Sequence, residues 1–168
     1  MTVFGSGRIR EGAQGWKEAF EVGFLIAKSG FQLVNGGYGG TMLASAKGAK
    51  EAGGHTLGVT TDQFPDSKAN PFIDEEMRKQ SWSERMHELI ARGDGFVVLD
   101  GGTGTLAELS VIWEMERKGL HSKPASILGK NMQLVVSTLI RNPDIELPGT
   151  FAMVTTPEAA VDHLRGYF

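Results

Sequence analysis

The chain has 168 residues, 40% of them hydrophobic, and a formal net charge of -3, values typical of a globular protein of one-domain size. It contains no cysteine, which excludes disulfides, thiol catalysis and cysteine-ligated zinc or iron–sulfur sites. The weak negative charge gives no basis for general nucleic-acid binding. Neither a signal peptide nor a membrane-spanning run is recognisable, so we expect a cytoplasmic protein with no membrane partner.

Short apolar runs alternate with helical patterns from the beginning of the chain. Val3-Phe4 predicts a first strand that enters the turn Gly5-Ser6-Gly7, and Trp16 to Ser29 has the apolar spacing of a helix. Further strands are predicted at 31–34, 56–59, 96–99, 124–128 and 151–154, with helices at 42–52, 82–92, 106–118, 131–140 and from 157 onward. Residues 60–80 lack any such pattern and are predicted to form a long polar loop, of the kind that often covers or binds a ligand.

The order of these elements predicts the fold class. Six strand-like runs, most of them uniformly apolar, are separated by helices, which is typical of a parallel sheet with helices on both faces. We therefore predict one α/β domain over residues 1–168, with a Rossmann-like, doubly wound sheet. Ligands of such sheets bind beyond the carboxyl ends of the strands, at the point where the strand order reverses.

Three glycine turns follow predicted strands and are expected to converge on one pocket. In the turn after residue 99, free backbone N–H groups and the positive end of a helix dipole favour an anion, so we expect a phosphate there. The candidate binding residues are Gly101, Gly102, Thr103, Gly104 and Thr105, together with Gly5, Ser6, Gly37, Gly39, Gly40 and Thr41 of the two earlier turns. Neither a Walker loop nor a complete dinucleotide fingerprint is present, so ATP and NAD are not the first interpretation.

Two charged side chains are candidates for chemistry. Glu108 begins an apolar helical row with Ile112 and Met115, which predicts a partly desolvated carboxylate. The alternative is a capping box over Thr105–Glu108, in which Glu108 only accepts a bond from the Thr105 backbone N–H. Arg85 is the candidate charge partner, and its alternative is an arginine that extends to the surface from an apolar stem. Spacing alone leaves these alternatives open.

The segment Gly101–Glu108, reading GGTGTLAE, resembles the PGGxGTxxE motif of the LOG family. These proteins are cytokinin-activating nucleoside 5′-monophosphate phosphoribohydrolases, formerly labelled lysine decarboxylase-like. Arg85 precedes that motif at the separation of the arginine in the family's Met-His-x-Arg-Lys motif, and residues 119–124 are similar to its Gly-Ile-His-x-Lys-Pro. The turns at Gly5-Ser6 and at residues 35–42 also resemble those of the family, so the likeness covers nearly the whole chain.

The resemblance implies an enzyme that hydrolyses the N-glycosidic bond of a nucleoside 5′-monophosphate, releasing the base and ribose 5-phosphate. Arg85 and Glu108 match the family's catalytic pair, and no metal or organic cofactor is implied. Family dimers use the helix predicted at 106–118, which is apolar on more than one side, so we expect a homodimer. A helix enclosed within its own monomer is the alternative.

Departures from the family motifs keep a second function open. Asp100 replaces the motif proline and adds a carboxylate close to the expected phosphate, Trp82-Ser83 replaces Met-His, and Met86 replaces the lysine. These changes fit a non-catalytic carrier of a phosphorylated ligand such as molybdenum cofactor, while retention of Arg85 and Glu108 favours an enzyme. No lysine stands beside the glycine turns to bind pyridoxal phosphate, so lysine decarboxylation is rejected.

Overall fold

A computed structural model describes all 168 residues as seven strands and six helices. The strands are β1 (Thr2–Phe4), β2 (Leu33–Asn35), β3 (Thr56–Thr61), β4 (Glu75–Lys79), β5 (Phe96–Val98), β6 (Ala125–Ile127) and β7 (Phe151–Met153). The helices are α1 (Gln14–Lys28), α2 (Thr41–Glu51), α3 (Trp82–Arg92), α4 (Thr103–Arg117), α5 (Lys130–Leu139) and α6 (Pro157–Arg165). None of these helices has the length and hydrophobicity needed to cross a membrane.

All seven strands form one parallel sheet in the order β4-β3-β2-β1-β5-β6-β7. Strands β2, β3 and β4 follow one another on one side of β1. The chain then crosses to the other side of β1, where β5, β6 and β7 follow in order. In register, Thr2, Val3 and Phe4 of β1 lie opposite Phe96, Val97 and Val98 of β5. The predicted doubly wound, Rossmann-like sheet is therefore confirmed, and its switch point lies between β1 and β5.

Helices cover both faces of the sheet because successive strand residues point to opposite sides. On one face, Phe4, Phe96 and Val98 pack with α3, α4 and α5 in a core of 17 buried residues. On the other face, Val3 and Val97 pack with α1, α2 and α6 in a core of 16. Burial on both faces explains why the central strands are mostly apolar in sequence.

Strand β4 corrects the prediction that residues 60–80 form a loop without regular structure. Its sequence EEMRK is largely exposed and charged, so it carries no apolar run, yet it pairs with β3 from Leu57 to Thr61. It lies at the edge of the sheet, where only one side of the strand has to be paired. The remaining polar loop is therefore confined to residues 62–74.

Candidate active site

A cavity of about 820 Å³ opens beyond the carboxyl ends of β1 and β5, at the switch point of the sheet. Its volume falls in the range usual for small-molecule sites, roughly 300–1,000 Å³. The lining residues are Gly5, Ser6, Gly7, Arg8, Tyr38, Met42, Phe64, Trp82, Arg85, Gly101, Gly102, Thr103, Gly104, Thr105 and Glu108. The structure thus brings together the first and third glycine turns and both charged candidates in one cavity.

The glycines of the second turn support this cavity from behind, whereas Tyr38 and Met42 of the same segment line it. Gly37, Gly39, Gly40 and Thr41 do not line it, although they were predicted to bind the ligand. The Ser6 carbonyl accepts bonds from the Thr41 backbone N–H at 2.8 Å and from Thr41 Oγ1 at 3.2 Å. Gly40 has a φ of 63°, and a Cβ there would lie 2.1 Å from the Ser6 carbonyl oxygen. These residues therefore fix the position of the first turn.

The third glycine turn leads directly into α4. Gly102 is the N-cap and no side chain caps the helix, so the N–H groups of Thr103, Gly104 and Thr105 have no acceptor in the chain. Such groups at a helix N-terminus favour an anion. Because α4 begins at Thr103, Thr105 is its third residue and not its cap. The capping-box interpretation of Glu108 is therefore wrong.

Arg85 is held at the carboxyl ends of β2 and β3. Its Nε donates to the Val59 carbonyl at 2.7 Å, and its Nη2 donates to the Gly36 carbonyl at 3.1 Å. The guanidinium carbon lies 5.4 Å from the centroid of the Tyr38 ring, which adds a cation–π contact. Only 7% of Arg85 is exposed, so the alternative of an arginine that extends to the surface does not hold. Its Nη1 has no hydrogen-bond partner in the chain.

Glu108 lies in the first part of α4, partly buried and with no hydrogen-bond donor in the chain. Burial raises the pKa of the Glu108 carboxyl to about 7, against the attraction of Arg85. Burial also lowers the pKa of the Arg85 guanidinium, and Glu108 offsets part of that effect. The two groups form no direct ion pair, so they act on each other across the cavity. A carboxyl that titrates near neutral pH is suited to general acid–base chemistry.

Asp100 does not face the cavity. Its Oδ1 accepts bonds from the backbone N–H groups of Asn131 at 2.8 Å and Met132 at 3.1 Å, and its Oδ2 accepts from Asn131 Nδ2 at 3.1 Å. Asp100 therefore caps α5, which has no side-chain cap of its own because its N-cap residue is Gly129. Asp100 is thus not among the residues that line the cavity in which a phosphate is expected.

Several lining residues were not predicted, namely Gly7, Arg8, Tyr38, Met42, Phe64 and Trp82. Arg8 follows the first glycine turn, and its exposed side chain forms no ion pair. Its position directly after a strand-end turn is a signal that could have identified it. Phe64 has no comparable signal, because it lies in a polar loop whose folded position depends on distant residues.

A doubly wound sheet with glycine turns around a polar cavity at its switch point defines the chain as an α/β protein of the Rossmann-like class. Residues 1–142 match the model of the SLOG cluster4 family, and the chain belongs to this family, which confirms the resemblance to the LOG proteins. It is 39% identical over 108 residues to a cytokinin riboside 5′-monophosphate phosphoribohydrolase of Mycobacterium tuberculosis. It is 31% identical over 135 residues to a protein of the same name from Rhodococcoides fascians.

The extent of these matches differs between relatives. The mycobacterial alignment covers 63% of this chain and 58% of that protein, so the chain spans little more than half of it. The alignment with the Rhodococcoides protein covers 78% and 68%. Among solved structures, the Moco carrier protein of Chlamydomonas reinhardtii matches with a TM-score of 0.76 and 27% identity, over 99% of this chain and 97% of that one.

Proposed function

We propose that this protein hydrolyses the N-glycosidic bond of a nucleoside 5′-monophosphate, of the AMP or N6-modified AMP type, to a free base and ribose 5-phosphate. The observation that carries the proposal is the shared cavity of Arg85, Glu108 and the free N–H groups of α4. The relatives named cytokinin riboside 5′-monophosphate phosphoribohydrolase support the same reaction class.

The chemistry follows from the charges in the cavity. Two arginines and one carboxylate line it, so a phosphate group can be bound while Glu108 stays available for the sugar. As the bond between C1′ and the base nitrogen breaks, its electron pair goes to the base and positive charge develops on the ribose ring. The Glu108 carboxylate stabilises that charge and accepts a proton from the water whose oxygen bonds to C1′. The departing base then takes up a proton, which completes the hydrolysis.

The proposal is tested by incubating the protein with AMP, GMP, IMP, CMP and an N6-modified AMP. Free base and ribose 5-phosphate are measured separately, and their equal release from at least one nucleotide is the expected result. Glu108→Gln is expected to reduce turnover by about 10²-fold or more, the usual range for loss of a general acid–base group, without abolishing nucleotide binding. Unchanged turnover by this variant would remove Glu108 from the mechanism.

A carrier function is the second candidate, and the match to the Moco carrier protein is the observation that favours it. The same glycine turns would then hold the phosphate of a ligand such as molybdenum cofactor without a reaction. This alternative predicts that no nucleotide is cleaved, while a phosphorylated ligand raises the Tm by mass action. Release of free base from a nucleotide would support the hydrolase and contradict a function limited to carrying a ligand.

A further inference from the structure

Part of the cavity lining is aromatic, and its side chains are exposed to an unusual degree. Phe64 and Trp82 line the cavity with Tyr38, and each of the first two is 40% exposed. The Tyr38 and Phe64 rings pack with their centroids 5.9 Å apart at an interplanar angle of 57°. Trp82 packs against no other aromatic ring. Large apolar rings left partly open at a polar cavity indicate a surface available to a ligand.

Hydrogen bonds position the backbone segments that carry this aromatic surface. The Thr61 backbone N–H donates to Tyr38 Oη at 2.9 Å, and the Phe64 N–H donates to the Thr61 carbonyl at 3.3 Å. On the other side, the Trp82 backbone N–H donates to Gln63 Oε1 at 2.8 Å. The turn that carries Phe64 is thereby hydrogen-bonded to the beginning of α3 and linked through Thr61 to Tyr38. Backbone that is ordered before binding lowers the entropic cost of placing the rings it carries around a ligand.

The same cavity therefore combines two kinds of surface, one suited to an anion and one suited to a flat ring. We propose that Phe64 and Trp82 stack on the planar heterocycle of the ligand, so that the site selects molecules in which a phosphate and an aromatic base are joined. This inference rests on the proposed function and names its base-binding part. Stacking on an aromatic side chain tolerates any base, because every base has a π-face. It also gives a role to Trp82, which stands where the family motif has a methionine, while Arg85 and Glu108 are retained.

Binding of AMP and of ribose 5-phosphate separates the two surfaces, because only AMP carries a ring. The measurements use the whole 168-residue chain with Glu108→Gln, in which turnover is expected to be about 10²-fold slower, so that little AMP is consumed during a binding measurement. We expect Trp82→Ala to weaken AMP binding by about fivefold to a hundredfold, the usual effect of losing one stacking side chain, and to change ribose 5-phosphate binding by less than about twofold. Trp82→Phe keeps a ring and is expected to retain most of the affinity. Leu120→Ala is the control, since Leu120 is 68% exposed but lies outside the cavity.

Fluorescence gives a readout that does not depend on affinity. Among the three tryptophans, Trp16 and Trp113 are 7% and 6% exposed, so Trp82 is the one open to a quencher such as acrylamide. We expect AMP to protect Trp82 from acrylamide and ribose 5-phosphate to leave it accessible. The protected signal is expected to be missing in Trp82→Phe.

Different outcomes distinguish this inference from the proposed reaction. If Trp82→Ala binds AMP as tightly as its parent, or if neither compound binds, the stacking role is wrong. AMP cleavage by the wild-type protein together with unchanged AMP binding by Trp82→Ala contradicts the stacking role alone. Ring-dependent binding without any cleavage contradicts the hydrolase and leaves the stacking role standing.

Discussion

Arg85 and Glu108 are stabilised in different ways, although they share a cavity. Arg85 has two backbone carbonyls and an aromatic ring as partners, so its charge is well compensated despite burial. Glu108 has only the distant attraction of Arg85, so its ionisation is opposed by the loss of solvent. Glu108 is therefore the group in this cavity whose protonation changes near neutral pH, and Arg85 remains charged throughout.

The pH dependence of the reaction follows from the pKa of Glu108, which is about 7. If the carboxylate form is the active one, kcat/KM for AMP is expected to rise up to about tenfold per pH unit below 7 and to level off above it. Initial rates between pH 6 and 8 check this, and the contribution of the substrate phosphate, whose second pKa is about 6, is subtracted from the profile. A flat profile over that range would contradict the assignment of Glu108 as the base.

The same residue affects stability, in a direction that the pKa determines. The folded protein holds the Glu108 proton more tightly than the unfolded chain does, because its pKa is raised from 4.5 to about 7. The contribution of Glu108 to the free energy of unfolding therefore falls as the pH rises from 4.5 to about 7, and the protein is least stabilised by this group above about 7. Glu108→Gln is expected to be more stable than the wild type at pH 8, by on the order of 3 kcal/mol, and similar to it at pH 4.

Urea unfolding of both proteins at pH 4 and pH 8 measures this difference. Glu114→Gln is the control, because Glu114 lies on the same helix but is exposed. A Glu108→Gln variant that is less stable at pH 8 would show that the carboxylate makes a net favourable interaction.

The sequence predicted much of this site at the level of single residues. Arg85 and Glu108 were identified because both stand in recognisable motifs at a characteristic separation. Their alternatives could not be settled from spacing, since the start of α4 depends on the turn at Gly102 and not on the capping pattern. The capping role of Asp100 could not be predicted from the sequence, because it depends on the contact between the end of β5 and the beginning of α5.

At the scale of elements, the turn after β2 controls the position of a side chain on α3. A Cβ at Gly36 would lie 1.9 Å from Arg85 Nη2, so only glycine leaves space for the guanidinium. Gly36 is not among the glycines with a positive φ, so its φ does not disfavour alanine. Substitution of Gly36 by alanine would therefore displace the Arg85 guanidinium without removing its charge.

Gly36→Ala is accordingly expected to lower kcat/KM for AMP by about tenfold or more, because displacement of a positioning group by as little as 1 Å has large effects on rate. Circular dichroism checks that the fold is retained. Gly149→Ala is the matched control, since a Cβ at Gly149 meets no atom within 4 Å. Wild-type activity in Gly36→Ala would show that the exact position of Arg85 is not required.

Asp100 connects β5 to α5 and is expected to contribute to stability and not to ligand binding. Asp100→Ala removes a helix cap, which costs about 1 kcal/mol in typical cases. Asp100→Asn keeps an oxygen acceptor and is expected to lose less. Thermal unfolding measures both variants, with the exposed Asp66→Ala as control. A gain in ribose 5-phosphate affinity in Asp100→Asn would instead place the charge of Asp100 close to the phosphate.

Six of the seven strands could be predicted from apolar runs, and five of the six are fully buried, an environment that favours apolar residues on both faces. Strand β4 could not, since it pairs along one side only and its side chains are mostly exposed. Helix α3 was predicted with its observed bounds because its cap is local: the Ser81 hydroxyl accepts a bond from the Glu84 backbone N–H at 3.2 Å. Features defined by neighbours in sequence were thus predictable, and features defined by distant partners were not.

At the scale of the molecule, α4 still presents an incompletely covered side. Its inward residues Leu109, Ile112 and Trp113 are buried, while Leu106 is only partly buried and packs against neither core. Because α4 begins at the cavity, a second copy packed on this side would lie close to the site. The homodimer therefore remains our prediction.

Light scattering is expected to give about twice the chain mass of 18.1 kDa. Leu106→Glu places a charge in the proposed contact and is expected to shift the protein toward the monomer. Leu139→Glu on α5, where the leucine is 37% exposed, is the control for added charge elsewhere. A monomer mass for the wild-type protein at all concentrations would exclude the dimer.

The charged edge strand β4 also bears on how the protein behaves in concentrated solution. Arg78 pairs with Asp62 and Glu76, and Lys79 pairs with Glu88 of α3, so both faces of this edge strand carry ion-paired charges. A strand arriving from another molecule would have to desolvate or break these pairs before it could add to the sheet. This edge of the protein is therefore protected against fibril-like growth, and charge-neutralising substitutions at Arg78 and Lys79 are the changes that would expose it to aggregation.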